Sequence, residues 1–141
     1  MKTLMIGAGI VLFLVVGVAL FARVKPLPSE RFSGWPGPNT PGKHMLVGGV
    51  KYVLPLADLP NNALAQLAAI IKASPRSVPH ETQKGRAFVT RSKVFGFPDI
   101  TLLWEQDGQL HIHAHLVIGK SDLGVNAARV DGWLEQLVEQ P

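Results

Sequence analysis

The longest apolar stretch of the chain lies at its N-terminus. Residues 4–22 contain no charged residue and no proline. As a helix that rises about 1.5 Å per residue, this stretch would be about 28 Å long, close to the ~30 Å hydrocarbon core of a bilayer. We therefore predict a transmembrane anchor over residues 1–22, which contacts the lipid bilayer through residues 4–22.

A cleaved signal peptide is the alternative interpretation of this segment. Signal peptides also begin with a short basic region, here Met1 and Lys2, but their apolar core is usually about 7–15 residues long and ends in a small-x-small cleavage site. Here the apolar run is longer, and only residues 17–19 (GVA) resemble such a site. The pattern favours an uncleaved anchor.

Residues 23–43 are rich in proline and glycine and predict a tether. Proline fixes φ and lacks an amide donor, so we expect an extended, polyproline-like path here rather than a helix or a central strand. Phe32 and Trp35 lie within this segment. Their rings could enter the lipid interface or pack on the following domain, and packing is the favoured prediction.

Residues 44–141 alternate between strand-like and helix-like patterns. Apolar runs bounded by turn residues predict strands at 45–54, 77–82, 86–95, 100–105 and 109–118. Apolar spacings of three and four predict helices at 63–73 and 125–139. The order β-α-β-β-β-β-α predicts an α+β domain, in which two helices pack on one face of an antiparallel sheet of four to five strands.

The turn at Asp107–Gly108 decides which side chains share a face of this sheet. A two-residue turn would mix the apolar residues of one strand with the histidines of the next, whereas a three-residue, bulged turn keeps one face continuously apolar. We predict the bulged turn. The apolar face would then hold Ile100, Leu102, Trp104, Leu110, Ile112, Ala114 and Leu116, and the histidines would lie away from the helices, next to Thr101, Leu103 and Asp99.

Charge and composition exclude several classes of function. The net charge is +4, but the 14 basic residues are spread along the chain, which argues against a nucleic-acid partner. The chain has no cysteine, so thiolate catalysis and cysteine metal sites are excluded. It has no Gly-x-Ser-x-Gly elbow and no glycine-rich phosphate loop. An enzyme is disfavoured, and no cofactor is predicted.

Two segments of the domain are similar to a known family. Residues 88–99 (FVTRSKVFGFPD) and 119–130 (GKSDLGVNAARV) resemble the family catalogued as domain of unknown function 1499, and the resemblance covers about residues 44–139. Its members are often secreted or membrane-tethered, and the resemblance implies no established activity. Members usually carry an arginine- and serine-rich strand before the Gly-x-Ser-Asp motif, where this chain has three histidines.

The two motifs carry a set of polar side chains that we expect to lie together. Asp122 or Asn126 can cap the last helix, and Asn126 shares a helical stripe with buried apolar residues, so it needs a polar partner. The favoured interpretation is a structural clamp between helix and sheet. The alternative is an anion or small-ligand site at the N-terminus of the helix. The predicted cluster comprises Arg91, Asp99, Ser121, Asp122, Asn126 and Arg129.

The alternating histidines suggest a second kind of site. His111, His113 and His115 would project from one face of a strand about 6–7 Å apart, so two or three of them, with or without Asp99, could bind zinc or a similar ion. Histidines on a strand surface are more often simply solvated. The metal site is therefore an alternative rather than the main hypothesis.

The anchor and the missing catalytic motifs lead to three functional hypotheses. The first is a non-catalytic domain that binds a membrane or envelope protein, or assists assembly of a membrane complex. The second is a small-molecule or lipid-binding domain with an anion site near the last helix, and the third is the histidine metal site. A short N-terminal tail before a long folded domain is typical of an exported signal-anchor protein, so we expect a single-pass protein of a bacterial inner membrane with a periplasmic domain.

Overall fold

The computed structural model describes residues 1–34, 37–82 and 85–139. Trp35, for which packing on the domain was predicted, lies outside these residues. Helix α1 spans Lys2–Val24. Its apolar part, Leu4–Val24, has a mean hydropathy of 2.8 and is the single helix, among the described residues, that is long and apolar enough to cross a bilayer.

The described part of the domain contains a six-stranded antiparallel sheet in the order β1-β2-β6-β5-β4-β3. The strands are β1 Gly42–Leu46, β2 Gly49–Pro55, β3 Ser77–Glu81, β4 Arg86–Arg91, β5 Pro98–Gln106 and β6 Gln109–Leu116. The count exceeds the predicted four to five because the predicted strand 45–54 is a hairpin. Its turn is at Val47 and Gly48, and Gly48 adopts a φ of +79°, which glycine tolerates without steric cost.

Two helices pack on one face of the sheet, as predicted. Helix α2 spans Ala63–Ala73 and helix α3 spans Val125–Glu139, and both match the predicted bounds. Their apolar stripes bury Leu67, Ile71, Val130 and Leu137 completely or nearly so against β2, β5 and β6. The fold class predicted from the sequence, α+β with two helices on one face of an antiparallel sheet, is confirmed.

The hairpin between β5 and β6 differs from the prediction. Gln106 pairs directly with Gln109, so the turn has two residues, and both Asp107 and Gly108 have positive φ, as a type I′ turn requires. The register aligns Trp104 with His111, Leu102 with His113 and Ile100 with His115. The histidines therefore share a face with these apolar side chains, and the predicted neighbours Thr101, Leu103 and Asp99 lie on the opposite face.

The reason is that the face away from the helices is also buried. Residues 25–34, which we call the strap, run across it and include a 3-10 turn at Ser29–Phe32, where an extended path was predicted. Phe32 is buried in a second apolar cluster with Ala87, Val89, Ile100, Leu102 and Trp104. Its ring stacks on His80 at 3.9 Å. The predicted packing of Phe32 on the domain is confirmed, and a mixed face of apolar and histidine side chains is stable because the strap covers it.

The C-terminal turn of α1 is bound to the loop between β4 and β5. The Arg91 guanidinium donates from Nη1 to the carbonyl oxygens of Ala22 and Gly96, each at 3.0 Å. Arg23 donates from Nη1 to the carbonyl oxygen of Phe95 at 2.9 Å. Ala22 is fully buried by these contacts. The end of the apolar helix is thus part of the folded domain.

Candidate functional site

The N-terminus of α3 is capped by Asp122. Its Oδ2 accepts from the backbone amide of Asn126 at 2.9 Å, and its Oδ1 accepts from the amide of Gly124 at 3.2 Å. Although burial by itself raises the pKa of Asp122, these amides outweigh burial and the pKa lies below its ordinary value. Ser121 Oγ accepts from the amide of Leu123 at 3.2 Å. Asp122 thus satisfies a free amide in the first turn of α3, and both side chains fix the turn that precedes the helix.

Arg129 connects the capped helix to the sheet. Its Nη1 donates to Asp99 Oδ2 at 3.0 Å and to Asn126 Oδ1 at 2.9 Å. Both side chains of the ion pair are mostly buried. Burial raises the pKa of the Asp99 carboxyl, while the Arg129 guanidinium opposes the rise. The structure thus joins four of the six predicted cluster residues, Asp99, Asp122, Asn126 and Arg129, by contacts on the helix face of the sheet. Ser121 lies beside them and bonds to the amide of Leu123.

The sixth predicted residue, Arg91, makes different contacts. Both of its hydrogen bonds go to backbone carbonyls at the end of α1 and in the β4–β5 loop. Arg91 also borders the cavity that Arg129 lines. The register of β4 with β5 nevertheless places the Arg91 side chain on the face opposite to Thr90 and Asp99, where it binds the end of α1.

This cavity, which we call the cationic pocket, lies between α3, the α2–β3 connection and the end of β4. Its volume is about 480 Å³. It is lined by Ser74, Pro75, Arg76, Ser77, Thr90, Arg91, Ser92, Lys93, Val125, Ala128, Arg129, Gly132, Trp133 and Gln136. Among the described residues, the lining includes the basic residues Arg76, Arg91, Lys93 and Arg129 and no aspartate or glutamate. Asp99 neutralises Arg129 from outside the lining, so Arg76 and Lys93 supply the remaining positive charge next to the cavity.

The polar side chains of the pocket wall are held in place by one another. Trp133 Nε1 donates to Ser74 Oγ at 2.7 Å, and the hydroxyls of Ser77 and Thr90 lie 2.6 Å apart. Arg76 Nε donates to the carbonyl oxygen of Arg91 at 3.0 Å. Fixed hydroxyls and guanidinium groups around one cavity are the donors that phosphate and carboxylate ligands need.

Sequence reasoning missed three residues of this pocket. Arg76, Lys93 and Trp133 come from the α2–β3 connection, the β4–β5 loop and α3, and only the pairing of β3 with β4 brings the first two elements together. Within the sequence, the one available signal was that Lys93 belongs to the motif 88–99, two residues after Arg91.

The three histidines predicted as metal ligands lie under or beside the strap. His111 is 2% exposed and stacks on Trp104, with ring centroids 4.9 Å apart. The rings of His113 and His115 stack at 5.7 Å. The carboxylate considered with them, Asp99, is on the other face of the sheet. Within residues 1–34, 37–82 and 85–139, no group of three or more His, Cys, Asp or Glu side chains is placed to hold a metal ion.

A buried lysine accompanies these histidines. Lys51 of β2 pairs with His113, is fully buried, and donates from Nζ to Asn39 Oδ1 at 3.0 Å. Burial lowers its pKa. Burial and the charges of His115, Lys51 and Arg31 lower the pKa of His113 to about 4. His113 therefore stays neutral near pH 7. Protonation of a side chain beside His113 and Lys51 is unfavourable, because these groups are buried and already lie near other positive charges.

A second cavity, of about 570 Å³, lies between α2 and the β3–β4 hairpin. Its floor is formed by small or apolar side chains such as Ala65, Ala68 and Phe88, and its rim carries Lys72 and Arg86. It contains none of the residues singled out from the sequence. The cationic pocket is the better candidate site because its polar groups converge from several elements.

Comparison with known proteins identifies one family. A family model described as "Protein of unknown function (DUF1499)" matches residues 48–137, well over half of the 141-residue chain. The match covers β2 to α3 and so includes every residue that lines the cationic pocket. Neither a curated protein nor a solved structure matches the chain.

Proposed function

Since this chain belongs to the DUF1499 family, a family of unknown function, we propose its role from the geometry of its best candidate site: a membrane-anchored, non-catalytic domain that binds a small anionic ligand in the cationic pocket. The observation that carries the proposal is a cavity of about 480 Å³ whose lining, among the described residues, includes Arg76, Lys93 and Arg129 and no aspartate or glutamate.

The proposal follows from the unequal neutralisation of these charges. Arg129 is paired with Asp99, and the Arg91 side chain binds neutral carbonyls on the opposite face of the sheet, so Arg76 and Lys93 are the charges left for a ligand. Arg76 likewise donates to a carbonyl oxygen. Like charges held close together are unfavourable unless an anion lies between them, and a ligand with a phosphate or carboxylate group would supply it.

Anion binding is tested by thermal unfolding of the full chain in a neutral detergent. Inorganic phosphate is compared with sodium chloride at equal ionic strength. A ligand that binds only the folded state stabilises it by about 2.7 kcal/mol when present at 100 times its Kd, so phosphate should raise the Tm of the wild type. The double variant Arg76→Gln/Lys93→Gln should lose most of this increase.

The matched control is Lys72→Gln/Arg86→Gln. It removes the same charge from the rim of the other cavity, and it should keep the full response to phosphate. Equal Tm increases in the two double variants, or none in the wild type, would refute an anion site in the cationic pocket.

The proposed anchor is the helix α1, retained rather than cleaved. Its length and hydropathy suit a membrane span, and its last turn is bound by Arg91, so removal of the helix would leave a gap at Ala22 and break two long-range contacts. In the proposed topology, α1 spans the inner membrane of a bacterium and the domain lies in the periplasm.

Fractionation tests both parts of this topology. A tagged full-length protein should remain in the membrane fraction at its unprocessed mass, and protease added to spheroplasts should digest the domain. A protected domain would place it in the cytoplasm, and a soluble, shortened product would identify α1 as a cleaved signal peptide. The role in binding an envelope protein or assisting complex assembly stays a prediction, which crosslinking in whole cells would examine.

A further inference from the structure

Three loops lie together at the end of the sheet nearest to α1. In the antiparallel order β1-β2-β6-β5-β4-β3, the β1–β2 turn, the β6–α3 loop and the β4–β5 loop all lie at the same end. We call it the anchor end, and define it as residues 47–48, 92–97 and 117–124. The β1–β2 turn and the β4–β5 loop are three strand spacings apart, about 14 Å.

Geometry puts the anchor end level with the last turn of α1. Arg23, one residue before the end of the apolar span Leu4–Val24, donates to the carbonyl oxygens of Phe95 at 2.9 Å and Val94 at 3.5 Å. The last turn of a membrane-spanning helix lies at the boundary between hydrocarbon and headgroups. The β4–β5 loop must then lie at this boundary as well.

Each of the three loops of the anchor end exposes one large apolar side chain. Val47 is 86% exposed, Val94 is 66% exposed and Leu123 is 92% exposed. None of them belongs to either apolar cluster of the domain. Leu123 has a φ of +51°, a conformation that glycine or asparagine adopts more readily. Packing within the fold therefore gives no reason for these apolar residues at the loop tips.

The charge of the anchor end complements an anionic surface. Lys93 and Lys120 are exposed in two of the loops, and Arg23 and Lys25 lie at the end of α1. The nearby carboxylates are already occupied, since Asp99 is paired with Arg129 and Asp122 caps α3. Basic side chains next to exposed apolar ones are typical of surfaces that bind anionic membranes.

We propose that the anchor end lies on the surface of the anionic bilayer that α1 spans, with Val47, Val94 and Leu123 inserted into the lipid interface and Lys93 and Lys120 among the headgroups. This inference rests on the proposed anchoring by α1, and it shares one residue, Lys93, with the cationic pocket.

The test uses the full chain reconstituted in nanodiscs that contain anionic phospholipid. Because the chain has no cysteine, single reporters can be introduced as Val47→Cys, Val94→Cys and Leu123→Cys and labelled with an environment-sensitive fluorophore. Glu105→Cys, exposed near the opposite end of β5, is the matched control. The three anchor-end labels should emit at shorter wavelength than the control label and lose most of their intensity when the lipids carry a quencher near the headgroup.

Emission typical of water, with no quenching, at all three anchor-end positions in assembled nanodiscs would overturn the proposal. A chain that fails to enter nanodiscs would refute the anchoring instead, so the two failures are distinguishable. The variant Lys120→Glu provides a further check, because Lys120 is exposed and does not line the cationic pocket. It should reverse most of the spectral shift of the Leu123→Cys label, and an unchanged shift would contradict docking on anionic lipid.

Discussion

Acidification is expected to destabilise the domain through His113, which the strap keeps neutral. Its pKa is lowered from 6.5 to about 4, first by burial and then by the charges of His115, Lys51 and Arg31. In the unfolded chain the imidazole is exposed and keeps its ordinary pKa. Between these two values the unfolded chain binds a proton that the folded chain does not, so the free energy of unfolding falls as the pH falls.

The magnitude follows from the difference between the two pKa values. At 1.36 kcal/mol per pH unit, lowering the pKa from 6.5 to about 4 corresponds to a loss of about 3 kcal/mol across this window. The full contribution is present above pH 6.5 and is lost as the pH approaches 4. His111, whose pKa burial also lowers, adds to the loss, whereas Asp99, whose pKa is raised, acts in the opposite direction.

The contribution of His113 is isolated by the variant His113→Gln. Guanidinium unfolding of the full chain in a neutral detergent, followed by tryptophan fluorescence, would be measured at several pH values between 7 and 4.5. The variant should lose much less stability over this range than the wild type does. Equal pH dependence in the wild type and His113→Gln would refute the argument that the strap holds His113 neutral.

Three substitutions, two of them paired with a comparison variant, test other parts of the fold by the same unfolding assay. Phe32→Ala should lower the free energy of unfolding by about 3 kcal/mol, because it removes a buried ring between strap and sheet; a change near zero would mean that the strap is not packed. Gly49→Ala should prevent stable folding, because the new Cβ would lie 2.3 Å from a backbone oxygen of β6. In the comparison variant Gly132→Ala, the new Cβ meets nothing within 4 Å, so this variant should stabilise α3 by about 0.5–1 kcal/mol. Asp122→Ala should lower the free energy of unfolding by about 1 kcal/mol, because it removes the helix cap. Ser121→Ala, which removes a single hydrogen bond at an exposed position, should lower it by less. A larger loss for Ser121→Ala would contradict the capping role of Asp122.

Features of the fold that depend on local patterns could be predicted from the sequence. The helices at 63–73 and 125–139 follow from apolar spacings of three and four, and Asp122, Asn126 and Arg129 lie within two turns of one helix start. Their contacts form as soon as the helix forms. Only Asp99 had to come from a distant strand, and it belongs to the neighbouring motif.

Features that depend on distant segments could not be predicted in the same way. The bulged turn was favoured because the histidine face was expected to meet water, but the strap, some eighty residues earlier, buries that face. The β1–β2 hairpin was missed because Gly48 and Gly49 interrupt an otherwise continuous apolar run without a polar turn residue. The cationic pocket was missed in part because Arg76 and Lys93 meet only through strand pairing.

The folded strap has a consequence for reach. A flexible linker of about twenty residues would let the domain sweep a radius of roughly 25 Å around its anchor. Ala22 and Phe32 are both buried against the sheet or its loops. The strap therefore does not act as a flexible linker, and the domain stays next to its anchor. A chain anchored by α1 would meet other molecules by lateral diffusion, with its domain at a constant height above the lipid. The effective concentration of the domain would be high for partners in that layer and very low for partners beyond it.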